Sequence, residues 1–185
     1  MRSYNCLKTN LFQSDSFSIV PIREEDKLAI MNMRNEQIYH LRQNKPLKAV
    51  DQDNYFTNVI SKLFDTDQPN QILFSFLKNG VFVGYGGLVH INWIDKNAEI
   101  SFIMKTELEK EFFSKYWSIY LQLIEQVAFD ELNLHKIFVY AFDLRPHLYE
   151  TLEENNFMRE AELKEHCYYN NQFINVVIHS KFSNK

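Results

Sequence analysis

Several groups of residues in this chain have the types and spacing to do chemistry. Arg34, Asn35, His40, Arg42 and Gln43 form one polar cluster. An arginine there could pair with a phosphate through two parallel hydrogen bonds, and a solvated helix end is the plainer reading of the same residues. His90 falls on one face of an alternating, strand-like run, where an imidazole could shuttle protons near neutral pH or serve as a satisfied structural group. His40, His135, His147, His166 and His179 lack the paired spacing of metal ligands, so no metal site is expected. Cys6 and Cys167 lie far apart with no CxxC pattern and read as reduced thiols. All 4 glycines fall between Gly80 and Gly87. The run Gly84-Tyr-Gly-Gly87 follows a strand rather than opening a helix, which removes the P-loop and dinucleotide readings and leaves a strand bend or a close backbone approach.

The elements that must position these residues can be read from periodicity. Residues 17–22 alternate and are rich in Ile and Val, as a strand is. Pro21 and the acids after it then open a helix, with Leu28, Met31 and Ile38 on its apolar face. Asp51 reads as the N-cap of a second helix carrying Tyr55, Phe56, Val59, Ile60 and Leu63. Residues 72–78 and 81–84 form a hairpin across Asn79-Gly80, a pair that tolerates the positive φ of a tight turn. Residues 88–93 and 98–104 continue the meander across the polar turn 94–97. A long helix is expected over 114–130 from Trp117, Leu121, Ile124 and Ala128, then a strand at 136–142 and a helix at 147–155. The chain closes with a hairpin of 161–169 and 172–180 across Asn170-Asn171. The only loop-like stretch of any length is 64–70, so the chain reads as a single α/β domain over 1–185 with an N-terminal extension at 1–16.

Composition bounds the function. The 185 residues are 45% apolar and 24% charged, with 16 Phe and 10 Tyr, which predicts a bulky core and an aromatic-lined cleft. A net charge of −4 offers no broad cationic face, so neither nucleic acid nor a membrane surface is an expected partner. No apolar run approaches the roughly 20 residues of a spanning helix, and residues 1–17 lack the apolar centre of a signal peptide. The reading is cytoplasmic.

Three stretches near the C-terminus carry a family likeness: Leu148-Tyr-Glu-Thr-Leu-Glu-Glu-Asn-Asn-Phe157, Glu160-Ala-Glu-Leu-Lys-Glu-His166 and Tyr169-Asn-Asn-Gln-Phe-Ile-Asn-Val-Val-Ile178. They resemble the "LYEK.GF", "EG.LREH" and "Y.NG.Y.DVV" segments of the GNAT N-acetyltransferase superfamily, in the branch of ribosomal-protein N-terminal and nucleotide-amino-sugar N-acetyltransferases. Met33-Arg-Asn-Glu36 is similar to a "WRN" helix segment of that branch, and Ala98-Glu-Ile-Ser-Phe102 to its "AEIGY" strand. The element order agrees with the GNAT fold, a mixed and mostly antiparallel twisted sheet flanked by helices, from about residue 17 to 182.

The resemblance implies direct transfer of an acetyl group from acetyl-CoA to a primary amine, on a small molecule such as a nucleotide-linked amino sugar or on a protein N-terminus, and it allows a homodimer. It assigns Glu99 as the group that receives the amine proton and Tyr149 as the phenol that protonates the leaving thiolate. Backbone N–H groups of Phe102, Ile103 and Met104 would hold the thioester carbonyl. Asp143 falls near the family's asparagine that holds the pantetheine arm. Arg34, Asn35, Arg42, Tyr85, His90 and Trp93 would line the acceptor side, with Tyr85 and Trp93 as stacking surfaces.

One departure stands out. The family cradles the CoA pyrophosphate in a glycine-rich loop opening the long helix, where unpaired N–H groups and the helix dipole favour an anion. Here the matching stretch, Glu111-Phe-Phe-Ser-Lys-Tyr-Trp-Ser118, has no glycine. Either Ser114, Lys115 and Ser118 supply donors in its place, or Phe112, Phe113 and Trp117 pack against the sheet and close the pocket. The second outcome would make the chain a non-catalytic binding module on the same fold.

Overall fold

The computed structural model describes residues 2–184. An eight-stranded sheet runs in the order β1-β2-β3-β4-β5-β6-β8-β7. Its strands are β1 (Phe12–Ser14), β2 (Phe17–Pro21), β3 (Ile72–Lys78), β4 (Val81–Asn92), β5 (Asn97–Met104), β6 (Lys136–Phe142), β7 (Met158–Tyr169) and β8 (Gln172–Phe182). The helices are α1 (Lys27–Glu36), α2 (Ala49–Tyr55), α3 (Ser61–Leu63), α4 (Thr106–Glu125) and α5 (Pro146–Glu154), with a π-helical turn joining α2 to α3. This is the mixed, mostly antiparallel α/β fold expected of a GNAT domain.

Both expected hairpin turns form as their dipeptides dictate. Asn79 and Gly80 have φ of 49° and 78°, and Asn170 and Asn171 have 49° and 61°, the left-handed pair that matches the twist of antiparallel strands. The glycine run does not end a strand, so the expected strands 81–84 and 88–93 are one, β4. Gly86 and Gly87 lie inside it because neighbouring backbone comes too near for a side chain. A Cβ on Gly86 would sit 2.0 Å from the Ser101 carbonyl oxygen and 2.7 Å from the Tyr120 hydroxyl, and one on Gly87 1.9 Å from the Ile72 carbonyl oxygen.

Helix faces and ends depart from the sequence reading. On α1 the buried residues are Ile30 and Met33, and Leu28 is exposed, because the sheet lies half a turn away from the predicted stripe. Asp51 is not the N-cap of α2. It sits in the first turn and accepts the Lys48 N–H at 2.9 Å, so its carboxylate caps the helix from inside. The N-terminal extension is part of the core: Tyr4 is buried, stacks on Phe64 at 4.6 Å, donates its hydroxyl to the Leu73 carbonyl and accepts the Leu73 N–H.

The largest departure is α4, which begins at Thr106, with only Lys105 between it and the end of β5 at Met104. Charged residues Glu107, Glu109 and Lys110 obscured its first turns to an apolar-periodicity reading. An aromatic stack fastens α4 to the sheet: Phe102 lies flat on Tyr120 at 3.9 Å and edge-on to Trp117 at 4.9 Å, and Phe76 meets Tyr120 at 5.7 Å.

The sheet opens at one place. β5 and β6 are parallel neighbours joined through α4, since parallel strands need a long crossover. They pair only at Asn97–Lys136, Ala98–Ile137 and Glu99–Phe138, and beyond Glu99 they part.

Replacing Gly86 by Ala forces a methyl against backbone that cannot swing away, so a stability loss of about 1–3 kcal/mol is expected. Urea unfolding reads it as a lowered midpoint at unchanged slope, and an unchanged midpoint would show that β4 and β5 can separate at no cost.

Candidate active site

Past Glu99 the strand edges of β5 and β6 face each other across a gap. In a ladder only alternate residues of a strand bond to one neighbour, so half of the N–H and C=O groups of β5 point into that gap. The gap is a cavity of about 470 Å³ whose walls include Glu99, Ile100, Ser101 and Phe102 of β5 and Val139, Tyr140, Ala141 and Phe142 of β6. Trp117 of α4, Arg145 and Leu148 at the start of α5, and the segment His40–Leu41–Arg42 also line it. A second cavity of about 390 Å³ adjoins it between α1, α2 and the sheet, sharing Arg34, Gln71, Val89 and Ser101.

Glu99 sits at the fork and is 7% exposed. Arg42 donates to its Oε1, and the Arg42 guanidinium stacks over the Tyr140 ring at 4.7 Å. His90 Nε2 lies 3.9 Å from Glu99 Oε2. A bulge between Val89 and Asn92, with His90 at φ 52°, turns that imidazole toward the fork. Burial and its contact with the Cys167 thiol push the Tyr140 phenol up to about 12, so it stays protonated.

Arg34 donates to the Tyr85 hydroxyl at 2.7 Å and to Gln43 at 3.0 Å, and both Arg34 and Tyr85 line the second cavity. Asn35 takes no part in the walls. It receives the Leu47 N–H at 2.7 Å and donates to the Leu47 carbonyl, which pins the loop that carries Arg42. Trp93 turns away to donate to the Pro69 carbonyl at 3.0 Å and lines neither cavity.

Of the three residues expected to hold the thioester carbonyl, Phe102 lines the cavity, whereas Ile103 and Met104 are buried below its wall and Met104 spends its carbonyl on Gln37 at 2.7 Å. Tyr149 stacks on His179 at 5.1 Å and donates to Asp143 at 3.0 Å. Its hydroxyl also lies 3.4 Å from the carbonyl of Phe142, a cavity residue. Burial and the adjacent Asp143 carboxylate hold that phenol well above its ordinary pKa.

The glycine-free stretch is not a helix start. Because α4 begins at Thr106, residues 111–118 lie more than a turn inside it, where backbone N–H groups are already bonded to the preceding turn. Ser114 faces Glu154, Ser118 accepts from Asn155 at 2.8 Å, Lys115 is exposed, and none of the three lines the cavity. Phe113 and Trp117 are buried, with Trp117 forming cavity wall.

The sequence reading missed Arg145. It occupies the N-cap position of α5, is 5% exposed, and reaches from the β6–α5 turn to Glu109 in the first turn of α4 at 2.8 Å. It also contacts the His40 ring at 3.0 Å and rests over Phe113 at 4.9 Å. Burial and the Arg145 charge pull His40 down to about 3, so it is neutral, and burial raises Glu109. The available signal was Leu144-Arg-Pro146, an arginine set directly before the proline that opens a helix.

The open edges of β5 and β6 fit the pantetheine arm, whose amides can pair with free strand groups. The glycine cradle for the pyrophosphate is missing, and the first turn of α4 carries Glu107 and Glu109. Among the described residues no group of three or more His, Cys, Asp or Glu is placed to hold a metal, and no helix is long and apolar enough to cross a membrane.

Comparison with known proteins agrees with this architecture. Spermidine N-acetyltransferase from Vibrio cholerae, in complex with CoA and spermine, superposes with a TM-score of 0.77 at 20% identity, over 93% of this chain and 98% of that one. A dodecameric structure of spermidine N-acetyltransferase from the same organism gives 0.72 at 22% identity, over 93% and 96%. The family model described as "Acetyltransferase (GNAT) domain" matches residues 19–178. The chain therefore belongs to the GNAT acetyltransferase family, and N-acetyl transfer from acetyl-CoA is the activity that goes with its fork-shaped cleft.

Proposed function

We propose that the acceptor of this N-acetyltransferase is a primary amine on a small, hydroxyl-rich molecule bearing an anionic group, such as a nucleotide-linked amino sugar. The observation that carries this reading is the lining of the second cavity. Arg34, Gln52, Tyr55, Gln71 and Tyr85 offer one cation and several neutral hydrogen-bonding groups, and the single carboxylate, Asp51, is turned onto the Lys48 N–H. Arg42 adds a second cation where this cavity meets the fork. An anion on the acceptor fits two guanidinium groups, whereas a polyamine places several like charges beside them.

A second reading has its own support. Both structural neighbours named above are spermidine N-acetyltransferases, and one holds spermine. That favours a polyamine acceptor, for which Asp51 and Glu99 would be the available anions. The neighbours' acceptors are small molecules, so a protein N-terminus lacks such support.

Acetyl-CoA supplies an activated thioester. The protein's task is to neutralise the incoming amine and to return a proton to the departing sulfur. Glu99 is the proposed acceptor of the amine proton, directly or through a water, with His90 able to pass it to solvent. Its pairing with Arg42 fixes the carboxylate at the fork, and the amine must approach the oxygen that Arg42 does not hold. Tyr149 is the proposed donor to the thiolate: its phenol proton, held by the Asp143 carboxylate at the end of β6, turns from that oxygen to the departing sulfur.

Glu99→Gln and Tyr149→Phe are each expected to lower turnover by well over about tenfold while calorimetry shows an unchanged affinity for acetyl-CoA. Turnover unchanged in both variants would remove these roles.

A CoA-release assay over a panel of amines separates the two acceptor readings. Faster release with nucleotide-linked amino sugars than with spermidine or spermine is expected, and Arg34→Gln should raise KM for the anionic acceptor by about tenfold or more. Preference for spermidine, with Arg34→Gln silent, would establish the polyamine reading instead.

A further inference from the structure

Beside the stretch that resembles the family's glycine-rich cradle, this protein has a buried guanidinium, Arg145, resting over the Phe113 ring at 4.9 Å. Arg145 stands at the cap of α5 and bridges to the first turn of α4, so it lies where the N-termini of two helices come together at the mouth of the cleft. Its side chain is 6% exposed and lines the cavity. The guanidinium has five N–H donors. One terminal nitrogen lies against the His40 ring at 3.0 Å, the other donates to one oxygen of Glu109, and Nε is buried with no partner inside the protein. A buried donor left unpaired costs about 1–3 kcal/mol, so such a group marks a place where an acceptor is missing. A single-point contact with one carboxylate leaves the planar fork undersatisfied, whereas a diphosphate brings several oxygens at the spacing that a guanidinium binds through two nitrogens. Phe113 fixes the guanidinium from below, and its edge contact with His147 at 4.4 Å closes the aromatic shelf.

We propose that Arg145 is the anchor for the CoA diphosphate in this protein, and that Glu109 is an internal counter-anion which the diphosphate displaces. The reading accounts for two features at once. Mid-helix aromatic residues can replace glycines because the phosphate no longer meets the backbone there, and the carboxylate in the first turn of α4 shields a charge that would otherwise be buried alone. Displacing Glu109 releases it toward solvent, since its side chain is already 18% exposed. The proposal rests on the family's co-substrate occupying this cleft, and the test keeps the two apart.

Calorimetric titration of the wild-type protein, Arg145→Gln and Glu109→Gln with CoA and with pantetheine, which lacks the diphosphate, decides it. Arg145→Gln is expected to weaken CoA by about ten- to a hundredfold and to leave pantetheine unchanged. Glu109→Gln is expected to bind CoA about threefold or more tightly than wild type, because the closed pairing no longer competes. Equal loss of CoA and pantetheine in Arg145→Gln, or no loss, would overturn the anchor, and CoA affinity unchanged or weakened in Glu109→Gln would overturn the displacement. If Arg145→Gln does not fold, the Glu109→Gln comparison decides alone. Wild-type protein that binds CoA no better than pantetheine would sink the proposal and leave the co-substrate in place, whereas binding of neither would sink both.

Discussion

The parting of β5 from β6 after Glu99 is the constraint on which the rest of the structure depends. Three ladder pairs hold the strands together at one end, and at the other Phe102 and Trp117 line one side of the widening gap. Backbone groups along the open edges are left without partners, and such groups are rarely left both buried and unpaired. The gap must therefore stay open to water or hold a ligand with its own amides. A binding slot of that kind follows from backbone pairing alone, whatever side chains surround it.

Packing decides how rigid the fork can be. The flat contact of Phe102 with Tyr120 at 3.9 Å depends on Gly86, whose missing side chain leaves room for the Tyr120 hydroxyl and for the β5 carbonyl opposite. Glycine in the middle of a buried strand is entropically unfavourable, and here it is offset by aromatic burial on α4. The same strand bulges at His90 and turns that imidazole toward Glu99, so one irregularity in β4 serves the chemistry at the fork.

Charge is distributed unevenly along the cleft. At the fork Arg42 balances Glu99, and at the mouth Arg145 balances Glu109, while Arg34 has neutral partners, Tyr85 and Gln43. The carboxylates at the fork and at the mouth are thus each engaged by a guanidinium, and Asp51 of the second cavity is held by the Lys48 N–H. An anionic ligand can pair with Arg34 without displacing a carboxylate and can exchange with Glu109 at Arg145, whereas a cationic one must compete with the arginines for Glu99 and Glu109. This asymmetry ties the acceptor proposal and the diphosphate proposal to one physical property of the walls.

The sequence by itself determined the fold and the family. Alternating strands, the Asn79-Gly80 and Asn170-Asn171 turns and the run around Leu148-Tyr149 depend on local backbone preference and local motif, which a linear reading can reach. It also singled out Glu99 through the family resemblance, and Arg42 and His90 by the chemistry of their side chains. The helix register was out of reach: charged residues at the start of α4 hid its true beginning, and that displaced Ser114, Lys115 and Ser118 from the helix start to its interior. Only the tertiary structure brought Arg145 to Glu109 and His40, across 36 and 105 residues of chain, and only it turned Trp93 and Asn35 away from the cleft. Those outcomes are set by which faces of α4, α5 and the 41–47 loop meet when the sheet is assembled, and no local preference encodes them.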